Sequence, residues 1–291
     1  MFSELAGATT LKVLASPLIV SAKNLLGDEE FVYRYQDIPP HVRRIAERER
    51  QRVELETARG IQASILPDLP QMLHGVKLAH RYLPATEVGG DFYDVLELTD
   101  GRLAVAIGDV AGHGVSSGLV MSMAKSALSV QVTFDPEVEA VFATLNRMVY
   151  QSARKRLLAT LCYALVDPGR RELRYASAGH LFPYRISADG EVRALESVSY
   201  PLGVRETLEI RVCSARLESG DVLFLFSDGV VEAHPDNSED LFGFDRLEDS
   251  LARQVGRDVD QICQGVLAEL ESHTMGAPRD DDLTLLVLKI P

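Results

Sequence analysis

Two short motifs limit what this chain can fold into more than anything else in it: GGDFYD at 89–94 and GDVAGHG at 108–114. Between them FYDVLEL and RLAVAIG have the apolar content of strands, and Thr99, Asp100, Gly101 and Arg102 hold an Asp-Gly turn. The far ends of an antiparallel hairpin meet, so Asp91 and Asp109 are expected close together. Two carboxylates forced together repel unless one holds a proton or a cation sits between them. Either fragment alone would describe no more than a glycine-permitted turn with a solvated aspartate.

Two further acidic clusters adjoin apolar runs in the second half. Asp228 ends VLFLFS and precedes Gly229, while Asp280, Asp281 and Asp282 stand directly before LTLLVLKI. Singly these are a turn and a solvated loop. Four carboxylate clusters beside strands, with no His or Cys ligand spacing, point instead to a hard ion, magnesium or manganese, and away from zinc. Two such ions sharing one aspartate and a bridging water would aim that water at an electrophilic phosphorus. The chemistry implied is hydrolysis of a phosphate ester.

Charge and cysteine usage narrow the class. A formal net charge of −13 argues against nucleic acid, because the basic residues cluster only once, around Arg43 to Arg59, where glutamates interleave with them. Cys162, Cys213 and Cys263 are far apart and form no CxxC, a pattern of reducing compartments. No apolar run is long enough to cross a membrane and the start lacks a signal pattern, so a cytoplasmic protein with no membrane partner is expected. The length of 291 residues suits one large domain with an accessory segment.

Taken in order, residues 1–40 form an N-terminal segment of unknown role, with LKVLASPLIVSAKNLL at 11–26 apolar enough for a buried helix or strand and Pro39-Pro40 expected to stop regular structure. Residues 41–66 form a helix, supported by Arg43/Glu47, Arg50/Glu54 and Arg52/Glu56 pairs four apart and carrying a stripe of Leu55, Ala58, Ile61 and Ile65. This helix is either a solvated element packed on its own domain or a linker that dimerises or transmits a signal. Residues 67–291 form the main domain.

Within it the pattern predicts a strand over 76–83, the hairpin, and a helix over 115–130 burying Leu119, Met123, Ala127 and Val130. A second helix over 136–152 buries Val138, Val141, Phe142, Leu145 and Val149. Strands follow at 158–167, 172–180, 181–187, 207–214 and 221–229, then helices near 244–254 and 258–273, and a last strand at 283–290. Hairpin turns and segregated helices predict an α+β fold whose helices cover mostly antiparallel sheets.

The motif order GGDFYD, GDVAGHG, SDG and DDLT resembles the SpoIIE/RsbU branch of the PPM metal-dependent serine/threonine phosphatases. ARGIQASILP at 58–67, YASAGHLFPY and SYPLGV are similar to segments of the same branch, and the likeness runs from about residue 55 to the end. It implies an αββα sandwich of two antiparallel sheets, preceded by a linker helix, with a two-metal site holding Mn2+ or Mg2+. By resemblance Asp109 bridges both ions, the Val110 carbonyl binds one, and Asp91, Asp228 and Asp281 complete the set, with Asp282 the competing choice in the DDLT motif. The implied partner is a phosphorylated STAS-domain anti-anti-sigma protein. From the helix itself a homodimer through residues 41–66 is expected, whose rotation or ordering would reposition the GDVAGHG loop.

There are departures. Better-known members carry a histidine two positions after the bridging aspartate, where Ala111 stands here; His113 is a candidate general acid or else a turn histidine that hydrogen-bonds the loop. The phosphate-gripping arginine has no secure counterpart, Arg81 included, and His180 is expected to be structural. The alternative to a phosphatase is a catalytically silent scaffold of the same fold that binds a partner through the linker helix.

Overall fold

The computed structural model describes residues 10–13, 19–23, 30–34, 40–86, 88–112, 114–152 and 157–291, with side chains from residue 44 onward. Contacts divide it into two compact units, Met1–Gly60 and Ile61–Pro291. In the first, β1 (Thr10–Val13), β2 (Ile19–Lys23) and β3 (Glu30–Arg34) form an antiparallel meander. Pro40 does not stop regular structure but opens helix α1 (Pro40–Ile65), at the position where a missing N–H leaves no bond unmade. Arg50 pairs with Glu54 at 2.8 Å, and Arg52 with both Glu49 and Glu56, which supports this long and mostly polar helix.

The second unit is built on two antiparallel sheets. One has six strands in the order β11 (Val192–Ala194), β10 (Tyr184–Ile186), β13 (Val222–Phe226), β14 (Leu283–Lys289), β5 (Val76–Leu83) and β4 (Met72–Leu73). The other has five: β12 (Cys213–Arg216), β9 (Glu172–Ala178), β8 (Ala159–Asp167), β7 (Leu103–Val110) and β6 (Phe92–Glu97). Helices α2 (Val115–Phe134) and α3 (Val138–Ser152) belong with the five-stranded sheet, and α5 (Gly243–Arg253) and α6 (Val259–Thr274) with the six-stranded one. A single turn, α4 (Asp228–Val231), follows β13.

Alternation along the strands explains why four layers form. In β7, Leu103, Val105 and Ile107 point between the sheets while Ala104 and Ala106 face α2 and α3. In β14, Leu286 and Leu288 point inward while Leu283, Leu285 and Val287 meet α5 and α6. Both faces of each central strand are buried, so these antiparallel strands have unbroken apolar sequences. The αββα sandwich is as expected. The 207–214 strand is shorter and later than expected, at Cys213–Arg216, and β4, β11 and α4 carried no signal strong enough to place them.

Helix α2 departs from expectation in its orientation. Its buried residues are Ser117, Gly118, Val120, Met121, Ala124, Lys125, Leu128 and Val132, whereas Leu119 is 61% exposed and Val130 58%. Met123 is also exposed and Ala127 only partly buried. Ser117, Gly118 and Ala124 let the helix lie close on the sheet while Val120, Met121, Leu128 and Val132 fill the space beside them, and an ion pair joins Lys125 to Asp94 beneath it. In the last turns of α1 likewise Ile61 is exposed and Gln62 is buried. The stripe of α3 is buried as expected. Among the described residues no helix is long and apolar enough to cross a membrane.

These placements predict unequal costs. Leu288→Ala, between the sheets, should lower the unfolding free energy by about 3 kcal/mol, while Leu119→Ser on the outer face of α2 should change it by less than about 0.5 kcal/mol; urea unfolding of the two variants measures both.

Candidate metal centre

The β6–β7 hairpin pairs Phe92 with Gly108, so Asp91 and Asp109 stand opposite each other at its open end, as the two motifs require. β13 and β14 pair Phe226 with Leu285, which sets Ser227, Asp228, Asp281 and Asp282 at an end of the other sheet. Hydrogen bonds join the two ends. Thr284 Oγ1 donates to Asp91 Oδ2, and the Asp282 carboxylate accepts the N–H groups of Ala85 and Gly90, each at 2.9 Å. The GGD loop of one sheet is therefore pinned to the DDLT segment of the other.

The two glycines of GGD are set by close approach. A methyl on Gly89 would lie 1.8 Å from Asp282 Oδ2; one on Gly90 would lie 2.5 Å from Asp109 Oδ1 and 2.6 Å from the Val110 carbonyl oxygen. Two oxygens of the GDVAGHG segment thus converge on the space beside Gly90. No larger residue fits there without displacing one of them.

Burial and crowding raise the proton affinity of these carboxylates. Asp91 is fully enclosed, and burial, then the charge of Asp109, holds it well above the usual carboxylate range against the opposing hydroxyls of Thr284 and Ser227. Asp109 is pushed up to about 7, first by burial and then by Asp228, Asp281 and Asp282. Asp228 rises to about 6 by burial and by Asp281 and Glu232. Asp281 is exposed and accepts the Asp282 N–H at 2.8 Å, whereas Asp282 is buried beneath the loop it holds. Among the described residues no three His, Cys, Asp or Glu side chains close around one point, so the set converges without forming a closed cage.

Several neighbours escaped the reading of the sequence. Thr160 lies across from Asp109 in β8; its hydroxyl bonds the Asp109 backbone N–H at 3.2 Å and His180 Nδ1 at 2.8 Å. His180 is buried, and loss of solvation lowers it to about 4, so it stays neutral. Thr284 is the threonine of DDLT, and Gln62 lies in the GIQAS segment, so both had a motif as signal but no chemistry to single them out. Arg81 turns to Asp260 at 3.3 Å and to its neighbour's carbonyl. His113 lies outside the described residues.

The family model for stage II sporulation protein E (SpoIIE) matches residues 99–291. This chain belongs to the SpoIIE family. Among curated SpoIIE relatives, the phosphoserine phosphatase RsbU of Bacillus subtilis is 28% identical over 81% of this chain and 70% of its own length. Protein IcfG of Synechocystis is 26% identical over 81% of this chain, which spans 41% of IcfG. The SiaA-PP2C domain of Pseudomonas aeruginosa superimposes with a TM-score of 0.75 at 24% identity, covering 84% of this chain and 99% of that domain. The SpoIIE/RsbU type is one of metal-dependent protein serine/threonine phosphatases, and the two antiparallel sheets with flanking helices are its fold.

The carboxylate shifts carry a sign. Asp109 and Asp228 hold protons more tightly folded than unfolded, so their contribution to stability is full below about pH 4 and is lost as pH rises through about 6 to 7. In chelator the melting temperature should fall between pH 5 and pH 8 by an amount that Asp109→Asn reduces; thermal unfolding across that range checks it.

Proposed function

We propose that this chain hydrolyses phosphoserine or phosphothreonine on a signalling protein, using two divalent ions held by Asp91, Asp109, the Val110 carbonyl, Asp228 and Asp281. The observation that carries this reading is the facing pair Asp91 and Asp109, one buried and one partly buried carboxylate, held toward protonation partly by charge. A divalent cation removes that repulsion. Every donor is a carboxylate or carbonyl oxygen, which suits Mn2+ or Mg2+, and the space beside Gly90 is where Asp109 Oδ1 and the Val110 oxygen already converge. When bound, such ions acidify a water enough to attack at neutral pH and draw charge from the phosphoryl oxygens.

The protein's own groups would do the rest. Thr284 and Thr160 fix Asp91 and the Asp109 backbone, so that little reorganisation accompanies the reaction. Burial of Asp91 keeps bulk water from weakening the interactions around it. His113, three residues beyond Val110, is proposed as the acid that returns a proton to the departing serine oxygen. The likeness to RsbU, a phosphoserine phosphatase by name, supports phosphoserine as the group hydrolysed; a STAS-domain substrate in a partner-switching pathway and a homodimer through α1 are the remaining parts of this proposal.

The decisive assay is turnover of p-nitrophenyl phosphate and of a phosphoserine peptide with Mn2+, with Mg2+ and with chelator. Turnover should require metal and should fall by more than about 100-fold in Asp109→Asn, since even residues behind the ligands are worth about 10- to 100-fold. His113→Ala should spare p-nitrophenyl phosphate, whose leaving group needs no proton, and lose the peptide. A folded parent that binds no metal and turns over neither substrate would leave the silent scaffold as the better reading.

A further inference from the structure

The last turn of α1 meets the loop that carries Asp91 through one side chain. Gln62 is buried, unusual for a primary amide on so polar a helix. Its Nε2 donates to the Gly89 carbonyl at 2.6 Å, and its Oε1 accepts the Gly89 N–H at 3.0 Å. An amide set against a peptide group in this way makes the two bonds that a neighbouring strand would make. It satisfies both backbone groups of a residue that has no side chain of its own.

That residue lies two positions before Asp91, in a segment tied to everything around it. The Val88 carbonyl accepts the Gly114 N–H and the Gly90 carbonyl the Val110 N–H, each at 3.2 Å. Gly90 N–H goes to Asp282. Space is tight as well: a methyl on Gly118 of α2 would lie 2.3 Å from Val88 Cγ1 and 3.5 Å from Gln62 Nε2. The glycine pair gives this segment more conformational freedom than any other residues would, so its position depends on these outside bonds.

We propose that Gln62 is a positioning residue for the metal centre: it fixes the Gly89–Asp91 backbone where Asp91 faces Asp109, and so makes the order of the site depend on the register of the last turn of α1. The proposal rests on the metal-binding reading above. The contact is to the GGD loop, not to the GDVAGHG loop, which follows it through the Val88 and Gly90 bonds. A rotation of α1 by one residue, about 100°, would present Ile61 or Ala63 to Gly89, and neither offers a polar group. Gly89 would then keep a buried donor and acceptor unpaired, which favours a shifted loop.

Two measurements on the full chain test this, with Gln62→Leu, which removes both bonds at similar volume, and Gln62→Glu, which keeps only the acceptor. In chelator, the backbone amides of Gly89, Gly90 and Asp91 should exchange with deuterium about tenfold faster in Gln62→Leu, relative to amides of β8 in the same sample, with Gln62→Glu between. Calorimetric titration with Mn2+ should give an apparent Kd raised about tenfold in Gln62→Leu. If the parent binds Mn2+ and both variants bind it equally tightly with unchanged loop exchange, Gln62 does not position the site, although the metal reading stands; a lowered melting temperature with unchanged Mn2+ affinity has the same meaning. A parent that binds no Mn2+ overturns the metal reading and this proposal together. Should Gln62→Leu fail to fold, the comparison of Gln62→Glu with the parent decides.

Discussion

Carboxylates gathered and partly buried at the ends of two sheets are unstable company, and much of the second unit exists to hold them there. Burial alone raises the proton affinity of Asp91, Asp109 and Asp228, and their mutual charge raises it further. What opposes this is local hydrogen bonding: Thr284 to Asp91, and the N–H groups of Ala85 and Gly90 to Asp282. An isolated loop could not sustain such a set. A sandwich can, because each aspartate leaves a strand whose neighbours are fixed by ladder bonds and by apolar side chains on both faces.

The division of labour within DDLT illustrates the point. Asp281 is exposed and accepts its neighbour's N–H, whereas Asp282 is buried and holds the GGD loop. Identical side chains one position apart do different work because one points out of the strand end and the other beneath it. The motif alone pointed to Asp281 with Asp282 as the competing choice; their different burial and hydrogen bonds are visible only in the fold.

Much of the architecture was legible in advance, for a physical reason. β7, β8, β13 and β14 are apolar on both faces, their turns carry Gly and Asp, and α3 has a clean apolar stripe, so local and global preferences agree. The hairpin that opposes Asp91 and Asp109 followed from the same agreement. Where the signals conflicted, the reading failed. Helix α2 has apolar residues on two faces, and the buried one is lined with Ser117, Gly118 and Ala124, which hydrophobicity ranks below Leu119 and Val130. Short elements such as α4 and β11 depend on tertiary contacts too distant in sequence to see. Among the site residues the carboxylates announced themselves through glycine and strand context. Thr160, Thr284 and Gln62 did not, because a hydroxyl or amide acquires its role only when the fold brings a backbone group to it.

The outward face of α2 has a consequence for the protein as a solute. Leu119, Met123, Val130 and Phe134, the last 83% exposed, set an apolar strip along one helix in contact with water. The repulsion of a net charge of −13 opposes the approach of two such strips. That repulsion vanishes near the isoelectric point of about 5.0, where short-range attraction between strips is no longer opposed. Acidification thus has two opposed effects: it relieves the crowded carboxylates inside and it removes the electrostatic barrier outside.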